Sequence, residues 1–166
     1  MNGENTVWRP PDIPTYCCAM KENKISQSLE RASAPVQFEA GPPRSILVVE
    51  DEPDIRRINA MVLHRAGYHV DTAENGASGW KALEAKHYDV LITDNTMPGV
   101  TGLDLIKKLR SADMTLSVIL ASGTVPAEEL NRCPWLQVDA LLPKPYSIAE
   151  LLRTVNQVLR TTEDTR

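Results

Sequence analysis

The chain is 166 residues long, enough for one domain with some length to spare, and its 42% hydrophobic and 24% charged residues fit a globular protein with a single core. A net charge of -4 and a pI near 5.4 argue against a general nucleic-acid or anionic-membrane binder. No apolar run approaches the roughly 18 residues that span a bilayer, and no charged start is followed by an apolar core, so neither membrane insertion nor secretion is expected and the cytoplasm is the expected compartment. Residues 1–44 hold six of the twelve prolines and show no sustained apolar period. They are read as a flexible N-terminal extension, either a docking or targeting arm or a dispensable tail. From Ser45 the pattern becomes regular. SILVVE is a β-branched apolar run suited to a strand buried on both faces. EPDIRRINAMVLHRAG follows as a helix, with Pro53 tolerated in its first turn, Ile55, Ile58, Val62 and Ala66 on one face, and Gly67 as its stop. YHVDTA reads as a strand and NGASGWKALEAK as a helix whose apolar face carries Trp80 and Leu83. YDVLITD is a second fully apolar strand, and TGLDLIKKLR a helix with Thr101 and Asp104 at capping-box spacing. LSVILAS is another buried strand. PAEELNRC is a short helix that Pro134 cuts off. VDALLP is the last strand, and SIAELLRTVNQVLR the last helix, with a Ser147/Glu150 capping box and a face of Ile148, Leu151, Leu152, Val155 and Leu159. The six residues after Arg160 are read as a short tail, 161–166, and no output domain is expected.

Five strands alternating with five helices predict an α/β fold with a parallel sheet covered on both faces. Right-handed crossovers favour the flavodoxin-like doubly wound order 2-1-3-4-5. Such sheets collect ligands at the carboxyl ends of the strands where the order reverses, here strands 1 and 3. Strand 1 ends in Glu50-Asp51-Glu52 and strand 3 in Asp94. Carboxylates crowded into one small site repel unless a cation neutralises them, and an oxygen-only donor set suits a hard divalent ion such as Mg²⁺. Strand 4 ends in Ser122 and strand 5 runs into Lys144 and Pro145. An acidic pair, a separate carboxylate, a hydroxyl and an ammonium on one rim are the parts needed to move a phosphoryl group onto a carboxylate. The three cysteines (Cys17, Cys18, Cys133) and three histidines (His64, His69, His87) show no ligand spacing.

SILVVEDEP, ITDNTMPGVTG, VILASG and LLPKPY resemble the four signature segments of bacterial two-component receiver domains. The match runs in register over 45–160, with 43 residues from Asp51 to Asp94, 28 from Asp94 to Ser122 and 22 from Ser122 to Lys144. The resemblance implies that Asp94 is the phosphoacceptor, that Glu50, Asp51, Asp94 and the Thr96 backbone carbonyl hold Mg²⁺ (with Mn²⁺ as a substitute), and that Ser122 and Lys144 bind the phosphoryl group. It implies a cis peptide before Pro145. It further implies a phosphorelay function, with a histidine kinase or histidine phosphotransfer protein as donor, an unidentified downstream protein as target, and no catalysis beyond the domain's own phosphorylation and dephosphorylation. Departures accompany the matches. Glu50 stands for the more frequent Asp, Leu141 occupies the place of an aromatic that turns inward on phosphorylation, and Pro143 and the short ELNRCPWLQ segment are unusual. In that segment Trp135 is either a partner contact or locally packed. These departures leave room for a phosphorylation-independent interaction module on the same fold. An FMN-binding protein is disfavoured, because the acidic EDEPD turn would repel a phosphate. A phosphatase with its nucleophile on strand 1 is disfavoured too, because Pro53 stands two residues after Asp51.

Overall fold

The computed structural model describes residues 43–164. Cys17, Cys18 and residues 1–42 of the expected extension lie outside the described residues, as do residues 165–166. Five strands, β1 (Ser45–Val49), β2 (His69–Ala73), β3 (Val90–Asp94), β4 (Ser117–Ser122) and β5 (Ala140–Pro143), form one parallel sheet in the order β2-β1-β3-β4-β5. Helices α1 (Pro53–Arg65), α2 (Gly76–Ala85), α3 (Gly102–Ser111), α4 (Ala127–Arg132) and α5 (Ile148–Asp164) connect and follow them. The doubly wound arrangement expected from the alternation is therefore present.

The side-chain period of two divides each central strand between two cores. Leu47, Val49, Leu91, Val118 and Leu120 pack with Leu83, Leu105, Ile106 and Leu109 beneath α2 and α3. Ile46, Val48, Val90, Ile92 and Ile119 pack on the opposite face with Leu63, Leu151, Val155 and Val158 of α1 and α5. Both faces are closed to water, which is why β1, β3 and β4 read as unbroken apolar runs. The expected caps form as well. The Thr101 hydroxyl accepts from the Asp104 amide at 3.1 Å, and Ser147 and Glu150 exchange bonds of 2.7 and 3.2 Å. Among the described residues no helix is long and apolar enough to cross a membrane.

The apolar face assigned to α1 needs correction. Ile58 is 43% exposed, whereas Leu63 is completely buried and Asn59 nearly so. The buried stripe thus runs through Asn59 and Leu63, displaced around the helix from the one drawn through Ile58 and Val62. Leu63→Ala is expected to lower unfolding free energy by about 2–5 kcal/mol, and Ile58→Ala by less than about 1 kcal/mol. Chemical denaturation of the two variants measures the difference, and equal losses would contradict the burial described.

Three smaller differences have local causes. Arg44, counted in the extension, already joins the fold: its guanidinium bonds Asp89 at 3.0 Å and its carbonyl accepts from the His69 amide at 2.9 Å. The last helix runs past Arg160 to Asp164, because no Gly or Pro stops it and the Thr161 and Thr162 hydroxyls bond carbonyls four residues back. Helix α4 is only six residues and buries none of them. What anchors this stretch is the 3₁₀ turn Pro134–Leu136, through buried Leu136 and through Arg110. The Arg110 guanidinium donates to the carbonyls of Met114, Leu116, Leu136 and Gln137 at 2.7–3.1 Å. Trp80 packs partly buried against the α2–α3 core, with the Lys108 ammonium 4.2 Å from its ring centre. Trp135 is half exposed.

Candidate functional site: an acidic pocket at the switch point

The sheet order reverses between β1 and β3, and the carboxyl ends of these strands carry the acidic residues. Glu50 follows β1, and its amide donates to the Ala73 carbonyl at 3.1 Å, so the backbone stays in sheet register as far as the side chain that matters. Asp94 is the last residue of β3, paired with Ala121 of β4. Glu50 and Asp94 are buried, while Asp51 is half-buried at the pocket mouth. Each of the three offers an oxygen within 4.8 Å of those of the other two.

Lys144 lies against both buried acids. Its Nζ is 2.8 Å from Glu50 Oε2 and 2.9 Å from Asp94 Oδ2. Burial alone would depress its pKa, but the bonds to Glu50 and Asp94 outweigh it and hold the ammonium above the ordinary lysine value. For Glu50 burial is the larger effect, and its carboxyl sits above the usual range despite the Lys144 contact. Glu50 Oε1 is buried and makes no hydrogen bond. A buried carboxylate oxygen without a partner is costly, and a cation is the partner that this donor set admits. Oxygen ligands from three carboxylates suit a hard divalent ion in preference to a soft one. The residues present therefore fit Mg²⁺.

The remaining expected residues lie at or just beyond the carboxyl ends of β3, β4 and β5. Thr96 stands two residues after Asp94, and its amide donates to Asp94 Oδ1 at 3.2 Å. Ser122 ends β4 and is buried, but its hydroxyl is already engaged, donating to the Thr124 carbonyl at 2.5 Å. Lys144 is held by its own amide, which donates to the Ser122 carbonyl at 2.9 Å, and the Lys144–Pro145 peptide is cis. Leu141, at the middle of edge strand β5, is 39% exposed.

Other residues that shape the pocket were not singled out from the sequence. Arg56 of α1 donates from one guanidinium nitrogen to the carbonyls of Glu50 at 2.6 Å and Asp51 at 3.1 Å, which fixes the acidic turn. Gly102, the first residue of α3, lies so close under Asp94 that a β-carbon there would meet the Asp94 carbonyl. Asn59 of α1 donates to the Tyr146 hydroxyl at 2.9 Å, just beyond Lys144. Burial raises the Tyr146 hydroxyl's pKa, and the Asn59 bond pulls it the other way. Only the Gly102 position carried a local signal, a glycine at the start of an otherwise strong helix.

Comparison with known proteins agrees with this geometry. A family model described as the response regulator receiver domain matches residues 46–156. The chain is 35% identical over 115 residues to the transcriptional regulatory protein CusR of Escherichia coli strain K12, which covers 69% of this chain and 51% of that protein. It spans about half the length of the first regulators that it matches. The response regulator receiver protein CpdR of Brucella abortus is 32% identical over 117 residues, with 70% of this chain and 97% of that one covered. Among solved structures, the response regulator TrrA of Thermotoga maritima, in complex with Mg²⁺–BeF, is 32% identical with a TM-score of 0.63, covering 70% of this chain and 99% of that one. The fold, the acidic pocket and the family match over two thirds of its length agree, and the chain belongs to the response regulator receiver domain family of two-component systems.

Proposed function

We propose that this chain is a phosphorelay switch that takes a phosphoryl group onto Asp94 in a Mg²⁺-dependent reaction and thereby changes its binding to a partner. One observation carries the reading: Glu50, Asp51 and Asp94 converge on one pocket, with Lys144 bridging two of them and Glu50 Oε1 left without a bond. Receiver domains receive their phosphoryl group from histidine kinases or histidine phosphotransfer proteins, and such a donor is proposed here. An Asp94 carboxylate oxygen forms the new P–O bond as the donor's P–N bond breaks, and the electron pair of that bond leaves with the imidazole nitrogen.

Glu50, Asp51, Asp94 and the Thr96 carbonyl would hold the cation, Mg²⁺ or in its place Mn²⁺, which supplies charge neutralisation at the transferring group. Lys144, already against Asp94, is placed to pair with a phosphoryl oxygen. Ser122 serves as the hydroxyl donor once it gives up the Thr124 carbonyl. That exchange is a local change through which the added charge of roughly -1.5 to -2 can reorder the loop after β4. The chemistry stops at the domain's own phosphorylation and dephosphorylation, with no separate substrate turned over. The exposed Leu141 lacks the aromatic bulk to couple Ser122 to β5 in the usual way, so the read-out is expected to run through the loop and α4.

Incubation with Mg²⁺ and acetyl phosphate, followed by intact-mass measurement, tests the proposal. The expected result is a gain of one phosphoryl group that disappears with Asp94→Asn and with excess chelator. No gain, or a gain that survives Asp94→Asn, refutes it. In the first of those outcomes, an interaction module independent of phosphate becomes the better description.

A further inference from the structure

We infer that Asn59 and Tyr146 form a positioning pair for Lys144, an inference that rests on the reading of Asp94 as phosphoacceptor. Asn59 is 4% exposed and lies on the face of α1 that also buries Leu63. An amide there costs free energy unless it is bonded, and its Nδ2 donates to Tyr146 Oη at 2.9 Å, across 87 residues of sequence. The bond lies in a groove lined by apolar Ile55, Ile58, Pro145, Ile148 and Leu151, and by Lys144 itself. An apolar pair could fill that space, but it would not fix a direction; a hydrogen bond does.

What the bond fixes follows from the chain around it. The Lys144 amide is tied to the Ser122 carbonyl of β4, and the Ser147 amide to the Glu150 side chain of α5. Pro145 has no amide hydrogen to give. The Tyr146 hydroxyl is thus a hydrogen-bonded link from this turn to α1. One turn earlier on the same helix, Arg56 holds the carbonyls of Glu50 and Asp51. Helix α1 therefore grips both sides of the pocket through residues three apart, which share a helix face. It sets the acidic turn and the lysine turn in one frame, in which Lys144 Nζ meets Glu50 at 2.8 Å and Asp94 at 2.9 Å. Asn59 and Tyr146 bond each other and neither carboxylate in this arrangement, and they act through Lys144.

The test uses the full chain with Tyr146→Phe, Asn59→Leu and the double variant. Each single change strands or removes one polar group and is expected to lower stability, whereas the double change removes both and recovers most of the loss. Positioning behaves differently. NMR of lysine labelled at Cε and Nζ, with the Lys144 signal assigned through Lys144→Arg, is expected to show that signal moving toward the exposed lysines in all three variants. Phosphorylation by acetyl phosphate is expected to be about fivefold slower in all three, the double variant no worse than either single, as for one lost hydrogen bond. In a Lys144→Ala background, Tyr146→Phe should produce no further slowing. A Lys144 signal unmoved by Tyr146→Phe overturns the inference, and so does equal slowing with and without Lys144. Should the unaltered chain take up no phosphoryl group, the reading of Asp94 fails and the NMR arm alone decides the pair.

Discussion

Replacement of Lys144 by alanine is expected to move two observables in opposite directions: Mg²⁺ binding tightens by about tenfold or more, while phosphorylation by acetyl phosphate slows by about a hundredfold or more. Both follow from where the ammonium sits. Its Nζ contacts Glu50 at 2.8 Å and Asp94 at 2.9 Å, so in the resting protein it already neutralises two of the three carboxylates that a cation would use. Its removal leaves Glu50 and Asp94 buried without that counter-charge, and a divalent ion then gains the attraction that the lysine had shared. The same removal takes away the fixed positive charge that would meet a phosphoryl oxygen on Asp94, and a preorganised donor of this kind is worth about two to three powers of ten in rate. Without metal the variant is expected to be less stable than the parent, and added Mg²⁺ should restore more stability to it than to the parent. Calorimetric titration with Mg²⁺ and the rate of mass gain measure the two arms. If Mg²⁺ affinity falls or stays constant, Lys144 does not share the charge of the pocket. If the rate is unchanged, it is not the phosphoryl partner.

Much of this site was legible in the sequence because strand ends are local features. Each of SILVVE, YDVLITD, LSVILAS and VDALLP announces a strand by composition, and the polar residue that breaks the run marks its end, so Glu50, Asp94, Ser122 and Lys144 fall at one rim as soon as the strands are parallel. The supporting groups were hidden because their partners are distant. Arg56 reads as a solvated helix charge until its guanidinium is seen on the Glu50 and Asp51 carbonyls. Asn59 is polar, so an apolar stripe drawn through Ile58 and Val62 leaves it out, although it is buried and Ile58 is exposed. Its burial depends on Tyr146, 87 residues away, and no helical period encodes that. The orientation of the Ser122 hydroxyl toward Thr124 is likewise a loop property that residue type leaves open.

A methyl group added at Gly102 is expected to damage the pocket out of proportion to its size. The position is the first residue of α3, with Thr101 as its cap, and alanine would ordinarily favour a helix there. The local preference loses to the packing. A β-carbon would lie against the Asp94 carbonyl oxygen, 2.9 Å from the Asp94 carbonyl carbon and 3.0 Å from the Asn95 Cα, so what it meets is backbone that cannot swing aside. The close approach is held from both sides, since the Gly102 amide donates to the Asn95 carbonyl and the Leu103 amide to the Asn95 side chain, each at 3.3 Å. Either α3 withdraws from β3 or Asp94 shifts. Overpacking of this kind costs about 1–3 kcal/mol, and displacement of a reacting group by about 1 Å can cost about a hundredfold in rate. Gly102→Ala should therefore lower unfolding free energy by about 2–3 kcal/mol and slow acetyl phosphate phosphorylation by more than about tenfold, even under conditions where it remains folded. Gly67→Ala is the matched control. Gly67 has open space around it but a φ of +94°, so alanine there strains the backbone after α1 without approaching the pocket. Its stability should fall by about 1 kcal/mol while its phosphorylation rate stays at that of the parent. If the two variants lose rate in proportion to their loss of stability, the Gly102 effect belongs to the fold as a whole. If only Gly102→Ala loses rate, the glycine is there to let α3 close under Asp94.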